Sequence, residues 1–174
     1  VYVDGNKLTD YSGKANTLEV KIMNLVQASN TKRENGYGRE VLREQITICF
    51  DGKVWNVKTQ VSALCNITIR RYYGYAFDAK AFGDNVEYLY TDKKSNNKFY
   101  NNYYSYSNGT DCRGMHLRGG KMDVVIRLSD NTETDINNTS GYSAFYTDYG
   151  KMYFNIIYGN NPKKLLKGEK LEIP

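Results

Sequence analysis

The stretch Ile46-Thr47-Ile48-Cys49-Phe50-Asp51-Gly52-Lys53-Val54-Trp55-Asn56-Val57-Lys58 is the part of the sequence that decides the fold. Apolar and polar residues alternate on both sides of Asp51-Gly52, which is typical of two half-buried strands. Asp-Gly accepts the two positive φ angles of a type I′ turn, so the pattern predicts a β-hairpin with a two-residue loop.

This turn also sets the register of the hairpin, because it places Phe50 opposite Lys53. The pairs that follow are Ile48 with Trp55, Ile46 with Val57 and Thr47 with Asn56. Trp55 is therefore expected on the face of Ile46 and Ile48, as a buried ring whose truncation to Ala costs about 3–5 kcal/mol.

The same two-residue alternation continues through most of the chain. It predicts strands within Leu18–Met23, Val61–Ile69, Val86–Tyr90 and Met122–Leu128, and a hairpin that joins Ser143–Tyr146 to Lys151–Tyr158 through Asp148-Tyr149-Gly150. Only Gly38–Gln45 has the spacing of one or two turns of helix. We therefore predict an all-β fold, a single antiparallel β-sandwich or jelly roll with little helix, in which residues 1–174 form one domain.

Composition bounds the partners and the location. The net charge is +5, and the basic residues are interspersed with acidic ones. Acidic residues lie as close in sequence to the aromatic groups as Arg70 and Arg71 do, so a nucleic-acid partner is not favoured. No apolar run is long enough to span a membrane, and Val1 does not begin a signal peptide. We expect a mature chain at an extracellular or virion surface.

No set of residues predicts an enzyme, a cofactor or a metal site. The three cysteines allow one disulfide at most, and Cys49 and Cys65 either pair or serve as two small core residues. His116 is the only histidine, so a metal site with several histidines is excluded. A ribonuclease-like set of His116, Arg113 or Arg118, and a carboxylate such as Glu87 or Glu133 is an alternative, but spacing does not locate the partners.

Tyrosine is the residue type that points to function. The chain has seventeen tyrosines against one tryptophan and six phenylalanines. Neighbouring residues of a strand point to opposite faces, so the tyrosines within 72–75 and within 100–106 cannot all lie in the core. We predict a ligand- or partner-binding surface made of Tyr72, Tyr73, Tyr75, Tyr100, Tyr103, Tyr104 and Tyr106, near Arg113 and His116.

These residues favour a non-enzymatic module of an extracellular surface, virion or filament, whose Tyr-rich face serves subunit assembly or partner binding. A glycan-binding, lectin-like domain is the alternative, since exposed aromatic rings stack on sugars. A small hydrolase or nuclease centred on His116 is the second alternative. Replacing Tyr103 and Tyr104 with Ser is expected to weaken assembly or binding and to leave the fold intact.

Overall fold

The computed structural model describes residues 1–32, 34, 36–73, 76–78, 85–90, 100–101, 105–106, 112–119, 122–130, 132, 144–146, 151–157 and 161–174. Its strands are β1 (Tyr2–Val3), β2 (Asn6–Lys7), β3 (Leu18–Gln27), β4 (Glu40–Phe50), β5 (Trp55–Ala63), β6 (Ile67–Ile69), β7 (Ala76–Asp78) and β8 (Asn85–Tyr90). The later strands are β9 (Tyr100–Asn101), β10 (Ser105–Tyr106), β11 (Cys112–Gly119), β12 (Met122–Arg127), β13 (Ala144–Tyr146), β14 (Lys151–Phe154), β15 (Lys163–Leu165) and β16 (Lys170–Ile173). Within these ranges the only helical element is a 3₁₀ turn at Ser29–Thr31. The all-β prediction is confirmed, and the sandwich or jelly-roll arrangement stays a prediction.

The chain forms two compact units. The first unit contains Val1–Ile67 and Lys164–Pro174, and the second contains Thr68–Lys163. The prediction of one domain over residues 1–174 is not tested by this division and stays a prediction.

The first unit is built on a six-stranded sheet in the order β16-β5-β4-β3-β1-β2, with antiparallel pairs. Its buried residues concentrate on β5 and β16, where Val61, Ala63 and Ile173 are almost fully covered. Gln60 and Glu172 link these two strands through their side chains, with Gln60 Nε2 donating to Glu172 Oε1 at 2.8 Å. The C-terminal strand is therefore an integral part of this sheet.

The β4–β5 hairpin forms as predicted, but its register is shifted by two residues. Phe50 lies opposite Trp55, and the loop contains the four residues from Asp51 to Val54. The Asp51 carboxylate explains the longer loop, because its Oδ1 accepts hydrogen bonds from the backbone N–H of Val54 at 2.8 Å and of Lys53 at 3.0 Å. The predicted type I′ turn at Asp51-Gly52 was therefore wrong.

Trp55 keeps its predicted face but is not buried. A two-residue shift preserves the face, so Trp55 still lies on the side of Ile46 and Ile48. Its side chain is nevertheless 56% exposed. The reason lies in the strand lengths, since β16 pairs with β5 only from Thr59 onward and leaves the start of β5 at an open edge within the described chain.

Residues 40–45 belong to β4 and residues 38 and 39 precede it as irregular chain, so the prediction of a short helix over 38–45 was wrong. Val26 lies opposite Leu42 and Gln27 lies opposite Glu40, which leaves Val41 as the extra residue of a β-bulge. The extra residue Val41 stands directly before Leu42 in the sequence, and two adjacent apolar residues interrupt the alternation and resemble the spacing of a helix. Pairing with strands on both sides of β4 overrides that local pattern.

A tight hairpin that the sequence analysis did not identify joins β1 to β2. Its two loop residues are Asp4 and Gly5, with φ angles of 44° and 83°, which is the pair of positive values that a type I′ turn requires. Asp4 Oδ1 also accepts hydrogen bonds from the backbone N–H groups of Asn16 and Thr17, at 3.0 and 2.7 Å. The turn thus fixes the chain that enters β3.

The second unit contains two four-stranded antiparallel sheets. Their strand orders are β10-β13-β14-β7 and β12-β11-β8-β9. Met115 and Leu117 of β11 and Phe154 of β14 are fully buried. Because side chains alternate along a strand, His116 and Tyr153 each lie on the face of their own sheet that is opposite these buried residues.

Candidate functional site

Two tyrosines and an arginine form the centre of the candidate site. The ring centroids of Tyr73 and Tyr153 are 4.8 Å apart with an interplanar angle of 47°, a tilted contact of the favourable kind. The guanidinium carbon of Arg71 lies 5.8 Å from the centroid of the Tyr73 ring, within the range of a cation–π interaction. Both rings are half-buried and Arg71 is exposed, so this group reaches solvent.

The backbone beside Tyr73 is tied to the same sheet region. Tyr72 and Ile157 form an antiparallel bridge in which each backbone N–H donates to the other residue's carbonyl, at 2.8 and 2.9 Å. Ile157 is buried. The bridge therefore holds the segment that carries Arg71 and Tyr73 against a fixed part of the second unit.

Strand pairing extends this group into an aromatic row. Tyr153 lies opposite Phe145, and Phe145 lies opposite Tyr106, so three aromatic positions follow one another across β14, β13 and β10. Ala76 of β7 lies opposite Tyr153 on its other side and is exposed. Because the adjacent Phe154 is fully buried, Tyr153 lies on the face of its sheet opposite the core. We call Tyr73, Tyr106, Phe145 and Tyr153 the aromatic row.

The predicted tyrosines do not all join this row. Tyr73 and Tyr106 belong to it, and Tyr72 supplies the backbone bridge beside it. Tyr100 lies on β9 opposite Val86, in the other sheet of the unit. Tyr75, Tyr103 and Tyr104 lie outside the described residues.

Arg113 donates hydrogen bonds within the second unit. Its guanidinium donates to the carbonyl oxygen of Thr132 at 2.6 Å and also to the carbonyl oxygen of Ser129. Its own carbonyl accepts the backbone N–H of Leu128. The side chain thus stabilises the turn that follows β12. The prediction that Arg113 contacts a partner stays a prediction.

His116 has a carboxylate position directly opposite it. The register of β8, β11 and β12 places Glu87 on one side of His116 and Val125 on the other. Arg118, two residues further along β11, lies opposite Asn85 and Asp123. Glu87 and Arg118 are two of the predicted partners of His116, and the register places their backbone positions on the paired strands β8 and β11.

Phe145, Tyr153 and Arg71 are members of the site that the sequence analysis missed. A signal for Phe145 and Tyr153 was present, because the hairpin predicted between Ser143–Tyr146 and Lys151–Tyr158 brings the two aromatic segments side by side. Arg71 was considered only as a phosphate-binding residue. Its contact with Tyr73 depends on how the chain bends, which alternation does not determine.

Cys49, Cys65 and the described acidic residues form neither a disulfide nor a cluster of metal ligands. Cys49 and Cys65 are free and half-buried, so they are two separate small side chains and not a disulfide. Among the described residues, no three His, Cys, Asp or Glu side chains are grouped as metal ligands. The described ranges likewise contain no helix with the length and hydropathy of a transmembrane segment.

Comparison with protein-family models, with curated proteins and with solved structures finds no match for this chain.

Proposed function

We propose that this protein is a non-enzymatic module that uses the aromatic row to bind a protein partner or another subunit, at an extracellular, virion or filament surface. The observation that carries the proposal is the contact of Tyr73 with Tyr153, with Arg71 beside it, on the sheet face opposite the core. Tyr and Arg are the residue types that most often dominate protein interfaces, because they bury a large area and keep a polar end.

The packing of the site supports the same function. A half-buried ring that already packs on a neighbour loses little conformational freedom when a partner covers it, so more of its contact area contributes to affinity. The Tyr72–Ile157 bridge fixes the backbone beside the ring in the same way. The surface location is part of the proposal and is supported by the abundance of tyrosine in the composition.

The test compares Tyr73→Ser with Tyr37→Ser, which changes an exposed tyrosine of the first unit. Sedimentation velocity over a wide range of protein concentration measures association. Loss of an interface anchor is expected to weaken it about tenfold, which corresponds to about 1.4 kcal/mol, and Tyr37→Ser is expected to match the wild type. Equal association of all three proteins would contradict the proposal.

Glycan binding is the alternative that the aromatic row also favours, because aromatic side chains on an outer sheet face can stack on sugar rings. A glycan array probed with the wild-type chain and with Tyr73→Ser separates the two functions. Binding to glycans that Tyr73→Ser abolishes, together with a monomeric wild type, would replace the assembly proposal with the lectin-like one. A chain that neither associates nor binds the array contradicts both.

The hydrolase alternative is favoured by one observation, the opposition of Glu87 and His116 across β8 and β11. A carboxylate beside an imidazole is an arrangement used for general acid–base chemistry. Single-stranded RNA incubated with the wild type and with His116→Gln tests it. Cleavage by the wild type that His116→Gln removes would favour the enzyme over the binding module.

A further inference from the structure

Asn66 begins an acceptor triplet for N-linked sugars that the fold places between two strands. The triplet Asn66-Ile67-Thr68 has the Asn-X-Ser/Thr form of such acceptors. Alternation predicts strand character through Val61–Ile69, whereas the structure ends β5 at Ala63 and begins β6 at Ile67. Asn66 therefore lies in the bend between the two strands, and a bend is a better place for a bulky modification than a paired strand.

The two side chains that define the acceptor are both exposed. Asn66 and Thr68 face solvent, whereas Ile67 is half-buried and Ile69 is buried. This alternation is that of an extended segment with one inner and one outer side. The amide of Asn66 and the hydroxyl of Thr68 therefore lie on the same outer side of the chain.

A hydrogen bond fixes the orientation of the Asn66 carboxamide. The backbone N–H of Lys167 donates to Asn66 Oδ1 at 2.9 Å. A backbone N–H only donates, so the amide atom that faces Lys167 is the oxygen. The amide nitrogen, which is the atom that receives a sugar, forms the other arm of the planar group and points away from Lys167. Glycosylation leaves Oδ1 in place, so the hydrogen bond and a glycan are compatible.

Lys167 belongs to a turn with several hydrogen bonds of its own. The N–H of Glu169 donates to the carbonyl of Leu166 at 3.0 Å, and Gly168 has a φ angle of 90°, which is typical of the third residue of a type II turn. The N–H of Leu166 donates to Glu169 Oε2 at 2.7 Å. The N–H of Gly168 donates to the carbonyl of Ala63 at 2.8 Å. The Asn66 amide is therefore attached to a well-bonded turn.

The surface of this turn is open and includes an exposed apolar side chain. Leu166, which directly precedes Lys167, is 60% exposed. A Cβ atom added at Gly168 would meet none of the described atoms within 4 Å. A glycan is bulky and increases solubility. One attached to Asn66 therefore has space beside the turn and covers Leu166 from water.

We propose that Asn66 is a site of N-glycosylation, with a lipid-linked oligosaccharide diphosphate as the sugar donor. In the transfer, a bond forms between Asn66 Nδ2 and the anomeric carbon of the first sugar, and the bond from that carbon to the diphosphate oxygen breaks. The amide loses one proton, and the diphosphate leaves with the bonding electron pair. The inference rests on the extracellular location within the proposed function, because this modification belongs to secreted proteins.

Expression of the full chain through the secretory pathway of a eukaryotic cell, behind a cleavable leader, tests the site. The secreted protein is treated with peptide-N-glycosidase in heavy-oxygen water, which converts a glycosylated Asn into labelled Asp. Mass spectrometry of peptides then measures Asn66 separately from the other triplets of this form, which begin at Asn108, Asn137 and Asn138 and lie outside the described residues. Most copies of Asn66 are expected to be labelled, and an unlabelled Asn66 overturns the proposal.

Thr68 offers a matched pair of variants. Thr68→Ser keeps the hydroxyl and is expected to keep the glycan, whereas Thr68→Ala removes the hydroxyl and is expected to lose it. Both variants retain Asn66 and its hydrogen bond from Lys167, so a difference between them reports the acceptor triplet and not the turn. Equal labelling of Asn66 in the two variants overturns the proposal. If a variant is not secreted, translation in the presence of microsomes gives the same readout.

The folded state gives a second measurement, because sugars are added to the chain before it folds. A glycan at an exposed, open position leaves the fold intact. The thermal midpoint of the glycosylated wild type is therefore expected to equal or exceed that of Thr68→Ala, which lacks the glycan at Asn66. A lower midpoint for the glycosylated protein would show that the folded chain does not accommodate the sugar, and it overturns the proposal.

This experiment fails separately from the test of the aromatic row. The leader supplies the secretory location, so an unlabelled Asn66 contradicts the glycosylation site and leaves the binding function of the aromatic row untouched. Tyr73→Ser, secreted in the same way, is expected to keep the label at Asn66 whatever its effect on association.

Discussion

The ring of Trp55 stacks on the ring of Phe50 across the β4–β5 hairpin, with centroids 4.7 Å apart and planes at 30°. The two residues are the last pair before the loop, and the indole covers the phenyl ring while more than half of its own surface faces solvent. A stack at the exposed end of a hairpin contributes to stability mainly through this single contact.

Replacement of Trp55 by Ala is therefore expected to cost about 1–2 kcal/mol, less than truncation of a buried tryptophan. Denaturant unfolding of the wild type and the variant measures the loss. Tryptophan fluorescence of the folded wild type should resemble that of a solvated indole and be quenched by acrylamide. A blue-shifted, protected emission would show that the ring is covered in solution.

Acid should weaken the β4–β5 loop through Asp51. Hydrogen bonds from the backbone N–H of Val54 and then of Lys53 stabilise the carboxylate and lower the pKa of Asp51 below its usual value of 3.8. A lowered pKa means that this stabilisation is complete above pH 3.8 and is lost as the pH falls through the pKa of the folded state. The stability difference between the wild type and Asp51→Ala should therefore be largest near neutral pH and shrink in acid.

Unfolding midpoints measured across this pH range check the Asp51 prediction. Lys53→Ala is the control, because Lys53 donates through its backbone and the variant keeps that group. A difference between the wild type and Asp51→Ala that grows in acid would contradict the assignment.

Arg113→Ala should destabilise the second unit. The variant loses two hydrogen bonds from a charged donor to the carbonyls of Ser129 and Thr132, and Thr132 is buried. We expect a cost of about 2–3 kcal/mol in chemical unfolding. Arg113→Lys should recover only part of it, because an ammonium does not reproduce the two-pronged geometry. Weakened partner binding at unchanged stability would instead place Arg113 in the recognition surface.

Gly38→Ala should destabilise the chain before β4. A Cβ atom at Gly38 would lie 2.6 Å from the carbonyl oxygen of Ala28, so the backbone has to move. The same turn holds Gly38 through its N–H, which donates to Gln27 Oε1 at 2.9 Å. Overpacking of this kind costs about 1–3 kcal/mol, and thermal unfolding of the variant measures it. Unchanged stability would show that the loop relaxes at no cost.

Alternation located parts of β3, β4, β5, β6, β8, β12, β13 and β14, but it did not set the register of the β4–β5 hairpin. It identified the start of β3 at Leu18 and the β4–β5 hairpin, because side chains that alternate between core and solvent leave a period of two in the sequence. Alternation did not predict the loop length at Asp51, because hydrogen bonds to the Asp51 carboxylate stabilise the longer loop and such bonds are not visible in the sequence pattern. It also failed at the bulge, since one extra residue, Val41, interrupts the period.

The candidate site was predictable only in residue type. The excess of tyrosines indicated a surface with exposed rings, and Tyr73 and Tyr106 do belong to one sheet region. The partners Phe145 and Tyr153 lie far away in sequence, and only strand pairing brings them beside Tyr106. Tyr100 pairs with the other sheet for the same reason, although it is close to Tyr106 in sequence.

The return of the chain to β5 has a consequence for folding during synthesis. Gln60 and Glu172 are 112 residues apart, and the second unit lies between them as one continuous segment. The second unit can therefore fold as soon as it has been translated, whereas the first unit keeps an unpaired side of β5 until residues 170–173 arrive. Closing such a long loop is slow, and exposed strand edges promote aggregation meanwhile. A variant that lacks β16 should accumulate as insoluble protein even though every other strand is present.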